Sequence, residues 1–159
     1  MSSDLALALC AFGIGIVAGL RSLTAPACVS WAAHLHRLDL RDSRLALLGS
    51  TIAVFAVSAL GIGELIADKL SFVPNRTSPF PLAFRVLSGA LCGAALCISA
   101  NRLLLQGTLL GGLGGINGAF AGFHVRRLLV NYLKINDTAI ALAEDALAIG
   151  AGLFLVSRF

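Results

Sequence analysis

The chain predicts an all-α, polytopic membrane fold of about five transmembrane helices, and three observations carry that prediction. Hydrophobic residues make up 58% of its 159 positions and charged residues only 13%, about half the charged share of an ordinary soluble domain. Mean hydropathy is +0.91. The apolar residues also run on in stretches of about 20 positions or more, the length a helix needs to cross a hydrocarbon core of about 30 Å. Such runs are too long for barrel strands, and only helices or closed barrels satisfy their backbone in lipid. This composition excludes a disordered chain, a secreted disulfide scaffold and an ordinary cytosolic enzyme.

The first predicted span covers residues 5–33 and is interrupted only by Arg21. No basic segment precedes it and no Ala-x-Ala site follows, so it reads as an uncleaved span. Pro26 cannot donate to the carbonyl of Ser22, which predicts a kinked helix there. A charged loop follows, and the second span covers 45–68. Pro74, Pro79 and Pro81 mark the next loop, before spans at 82–101, 103–130 and 138–156. All five form one transmembrane domain over 1–159. With this arrangement six Lys and Arg fall on one side and five on the other, so orientation is weakly specified.

Glycine carries the packing signal. Gly107, Gly111, Gly115 and Ala119 recur at spacing four, with Gly114, Gly118 and Gly122 on a neighbouring row. Gly15 and Gly19 do the same in the first span, and Gly89 and Gly93 in the third. Small residues at that spacing let helix backbones approach where lipid supplies no hydrophobic drive between helices. A candidate inverted repeat pairs span one (Gly15, Ala18, Gly19) with span four (Gly118, Ala121, Gly122), and Asp68 with Asp145.

Charges within apolar spans cost at least about 2.5–3.5 kcal/mol each, so they are paired, snorkelling or functional. Arg21, with Ser22 and Thr24 beside it and a carbonyl freed by Pro26, predicts a polar nook. Either an anion or a carboxylate from Glu64, Asp68, Glu144 or Asp145 would fill it. Glu64 and Asp68 stand at i, i+4 and share a helix face. Glu144 and Asp145 are adjacent and point about 100° apart, so they face different partners. One is expected to pair with a base such as Arg21, Arg85 or Arg126, leaving the other to handle water, an ion or a proton. Together Arg21, Ser22, Thr24, Glu64, Asp68, Glu144 and Asp145 form the predicted path.

Other chemistries find little footing. The basic residues are scattered, and with one Trp and one Tyr there is no stacking platform for nucleic acid. Anionic lipid accounts for the +4 charge. Cys10, Cys28, Cys92 and Cys97 lie in apolar stretches and read as small hydrophobes. His34 and His36 lack enough further ligands for a metal, and no cofactor motif or catalytic triad is visible.

The segment Gly63–Leu70 (Gly-Glu-Leu-Ile-Ala-Asp-Lys-Leu), followed by Pro74–Thr77, resembles an integral-membrane family catalogued as domain of unknown function 4126. The likeness continues through Gly19–Pro26, Arg85–Gly89 and Glu144–Ala146. Its longer members tend to carry Asn-Ala or Asn-Pro where this chain has Arg21-Ser22, so a role for Arg21 belongs to a subgroup. The resemblance implies a small prokaryotic multi-pass protein, placed in the plasma (inner) membrane, and supplies no activity. Retained intramembrane charge favours transport of a small solute or ion through a homo-oligomer. A partner-binding or bilayer-organising module is the alternative, and a lipid-acting enzyme a third.

Overall fold

A computed structural model describes residues 3–40, 43–67, 78–131 and 136–159. Among them the chain is all-helical, with no strand. The helices are α1 (Ser3–Leu20), α2 (Thr24–His34), α3 (Thr51–Ala67), α4 (Pro79–Ser99), α5 (Leu104–Asn131) and α6 (Asp137–Val156), with a 3-10 helix at Arg44–Gly49.

The first expected span is two helices, which corrects the prediction of one helix kinked at Pro26. The chain breaks at residues 21–23, and Pro26 is the third residue of α2. A proline is tolerated there because the first four N–H groups of a helix have no partner within it. The second expected span is likewise divided, into the 3-10 helix and α3. Pro79 opens α4 three residues earlier than expected, since proline suits the first helical turn. Asn136 caps α6, its side chain accepting from Thr138 N at 3.0 Å. The α4–α5 turn uses Asn101 at φ 54°, where Arg102 N donates to Cys97 O at 2.8 Å. That is a Schellman ending, with asparagine in the left-handed position. In the candidate repeat, α5 continues unbroken through the stretch matched to the α1–α2 break, so the two segments differ there.

The core is built where α1, α4 and α5 meet, while α2 packs chiefly on α3, α6 and the 3-10 helix. Gly15, Gly89 and Gly111 come together from the three helices. A Cβ on Gly15 or Gly89 would strike the Gly111 carbonyl, and one on Gly111 the Gly89 carbonyl. Gly93 faces Gly107 in the same way; Gly19 lies against Gly115, Gly118 and Ala119; Gly115 lies against Arg85 and Val86; Gly118 lies against Ile16. Gly122 is buried in α5.

Polarity is distributed against the soluble pattern. Arg21, at 0% exposure, heads the fully buried side chains by volume. Arg85 and Asp145 are also buried, whereas Ile52 and Phe80 are over 80% exposed. Two helices, Pro79–Ser99 and Asp137–Val156, are long and apolar enough to cross a membrane; Asp4–Leu20 and Thr51–Ile66 are shorter apolar helices. The seven glycines of α5 dilute its leucines.

Candidate functional site: charges gathered at a helix break

A broken helix exposes two sets of backbone groups, carbonyls at the end of the first half and N–H groups at the start of the second. Here both are met by charged side chains. The carbonyls of Gly19 and Leu20, at the end of α1, would accept from the N–H groups of residues 23 and 24 in a continuous helix. Instead Arg85 of α4 donates Nη1 to Gly19 O at 2.5 Å and to Leu20 O at 2.7 Å. At the start of α2, Ser22 N and Leu23 N donate to Glu64 of α3, to Oε1 at 2.9 Å and to Oε2 at 2.8 Å. The Ser22 hydroxyl donates to the same Oε1. A cation on a helix C-terminus and a carboxylate on an N-terminus each suit the helix dipole. Arg85 Nη2 and Glu64 Oε1 are also 3.9 Å apart, so the two capping charges neutralise one another.

The carbonyl that Pro26 leaves free finds a donor as well. Ser88, one turn along α4 from Arg85, donates its hydroxyl to Ser22 O. Arg21 itself turns toward α6 and pairs with Asp145, Nη2 to Oδ1 at 2.5 Å. Side-chain exposures of 0% and 10% place that pair out of water, where two opposite charges must stay together because either alone is costly.

The structure thus brings Arg21, Ser22, Glu64 and Asp145 together. Thr24 is buried on α2 and lines a separate cavity of about 230 Å³ against α3 and α6, beside Trp31 and Ser58. Glu144 turns away from Arg21 and lines a groove between α5 and α6. Asp68 lies outside the described residues. Arg126 takes Asp137 in a two-bonded pair at 2.8 and 2.7 Å.

Arg85 and Ser88 stand outside the path predicted from sequence. Their signal is the i, i+3 spacing that puts both on one face of α4, together with the freed Ser22 carbonyl, which required a donor from some other helix. The four cysteines form no disulfide. Among the described residues no three His, Cys, Asp or Glu side chains are grouped to hold a metal ion.

The family described as Domain of unknown function (DUF4126) matches residues 8–157, and the chain belongs to it. No curated protein matches the chain, and no solved structure does.

Proposed function

From that membership and this geometry we propose that the chain is a multi-pass protein of a plasma membrane, of the prokaryotic kind the family resemblance implies. It moves a small solute or ion past Arg21, Ser22, Glu64 and Asp145. In this reading α1 and α2 together form the first span, and α3 to α6 the other four. The single observation that carries it is the break at residues 21–23, where charges from α3, α4 and α6 converge on exposed helix ends. Broken helices with polar ends inside a bilayer are the usual setting for solute and ion sites. The membrane placement draws on the exposed apolar surface and buried charge. The active unit is an oligomer, since so few helices seldom enclose a path alone.

A second reading has its own observation: the buried charges are matched by protein partners, as a rigid partner-binding module would need. Proteoliposome flux separates the two. Vesicles loaded with a pH-sensitive or sodium-sensitive dye are driven by a potassium diffusion potential. Transport predicts flux above empty vesicles that Asp145→Asn abolishes while size-exclusion elution and helicity are kept. Flux equal to that of empty vesicles, or undiminished in Asp145→Asn, overturns the proposal. A stoichiometric co-purifying protein together with no flux establishes the module.

A further inference from the structure

Helix α5 is 28 residues long, about 42 Å, and a hydrocarbon core of about 30 Å takes up roughly 20 of them. Its first turn lies beside the exposed Arg102–Asp4 pair, which marks one end of the bundle. About 20 residues on from Leu104 the helix reaches His124, so its last turns stand at headgroup level on the opposite side. Those turns carry two adjacent arginines with different surroundings. Arg126 is held by both carboxylate oxygens of Asp137 on α6. Arg127, one 100° step round the helix, is exposed and pairs with no acidic side chain among the described residues. It shares a recess of about 410 Å³ with His124, Leu128 and Asn131. We propose that this recess seats the headgroup of an anionic phospholipid whose acyl chain runs along the exposed face of α5.

The face itself points to a lipid. His124, Arg127 and Asn131 continue a row begun by Leu113, Ile116 and Phe120, at steps of three and four, and all six are exposed. From Leu113 to His124 the helix rises about 16 Å, close to the depth of one leaflet of the core. Asn117, within this stretch, returns its amide to Leu113 O at 2.9 Å. The row is thus apolar through one leaflet and basic at its end, which is the profile of a single phospholipid.

Charge complementarity selects the headgroup. The guanidinium fork of Arg127 matches two phosphate oxygens, and the Asn131 amide adds donors beside it. His124 Nδ1 donates to Phe120 O at 2.8 Å, which leaves Nε2 for the ligand. In the neutral ring that nitrogen accepts, so it suits a headgroup hydroxyl such as those of glycerol. The described lining holds no carboxylate, so the ammonium of a zwitterionic headgroup finds no counter-charge there. A free phosphate fits less well, because it leaves Leu128 and the apolar row unused. The inference rests on the multi-pass reading for its membrane setting and is independent of the path at the helix break.

The test is native mass spectrometry of the purified full chain in detergent, with equal amounts of dioleoylphosphatidylglycerol and dioleoylphosphatidylcholine added. The two lipids share their acyl chains and differ in headgroup charge. Wild type is expected to retain phosphatidylglycerol in preference. Arg127→Gln should cut that preference roughly tenfold. Leu128→Asp, which sets a carboxylate beside an intact Arg127, should cut it likewise. Arg44→Gln removes an equal charge outside this face and should leave the preference unchanged. Equal retention of both lipids by wild type, an undiminished preference in Arg127→Gln with unchanged helicity, or an equal loss in Arg44→Gln each overturns the proposal. So does displacement of the lipid by equimolar glycerol phosphate, which would make this a soluble-phosphate site. A lipid-free dimer that Arg127→Gln dissociates also overturns it, by making the face an interface between copies. A chain that is monodisperse without detergent overturns the membrane setting and this site with it. Loss of the lipid preference alone overturns only this site and leaves the flux assigned to the helix break standing.

Discussion

The helix break is held open by a side chain from 42 residues away, and removing that side chain gives a calculable result. Glu64→Ala strips the partners from Ser22 N, Leu23 N and the Ser22 hydroxyl at once. Losing an N-terminal cap costs about 0.5–2 kcal/mol, and a buried donor left without a partner costs about 1–3 kcal/mol. Allowing for partial burial of these bonds, the expected loss is about 2–5 kcal/mol. At roughly 2–4 °C per kcal/mol for a chain of this size, the thermal midpoint in detergent should fall by roughly 4–20 °C. Hydrogen exchange read by mass spectrometry should rise in the peptide covering residues 21–27 before it rises in α5. Glu64→Asp draws the carboxylate back by about 1.5 Å, so it should fall between wild type and Glu64→Ala. An unchanged midpoint together with unchanged exchange at 21–27 would refute the capping argument.

Arg21→Met and Asp145→Leu should each destabilise by about 3–5 kcal/mol, and the double variant by clearly less than their sum; additive losses in denaturant unfolding would mean the pair is not coupled. Gly111→Ala drives a Cβ into the Gly89 backbone and should cost about 1–3 kcal/mol or more. Gly63→Ala meets nothing within 4 Å and should gain about 0.5–1 kcal/mol, so thermal melts of the two should move in opposite directions. Arg126→Ala breaks a pair whose carboxylate is 58% exposed and should shift stability by about 0–1 kcal/mol. A larger loss would mean that Arg126 also holds the groove together.

What could be read from the sequence followed local rules. The opposed directions of Glu144 and Asp145 come from the 100° step of a helix, and one faces Arg21 while the other faces the groove. The pairing of Arg21 with Asp145, one of the four carboxylates expected for it, was approachable because a charge inside an apolar run demands a partner. The break itself was misplaced because proline is the visible breaker, and its missing N–H was charged against the interior of a helix. In the fold that N–H would have been an orphan, and the actual break is made by Glu64 and by Arg85, 66 residues from Gly19. Nothing in a local window signals a cap from so far away. Arg85 stood near the start of the expected span at 82–101; because α4 begins at Pro79, with Pro79 and Pro81 inside its first turn, Arg85 lies in the second turn of the helix.

The architecture also constrains how a transport cycle would work. Helix α1 is fixed to α4 and α5 by glycine contacts that leave no room for sliding. The α2 half packs chiefly on α3 and α6, through larger side chains and a cavity. Glu64 rides on α3 and Asp145 on α6, whereas Arg85 rides on α4 and Arg21 ends α1. Each ion pair therefore joins the glycine-locked half to the looser half, and both meet the backbone at residues 21–23. In such a cycle, movement of α2 with α3 and α6 would act on both pairs together, so the two pairs would respond as a unit and not as four independent charges. A solute that took over one partner of either pair would lower the cost of releasing the other. For that reason Glu64 and Asp145 variants should alter flux non-additively even where their effects on stability add.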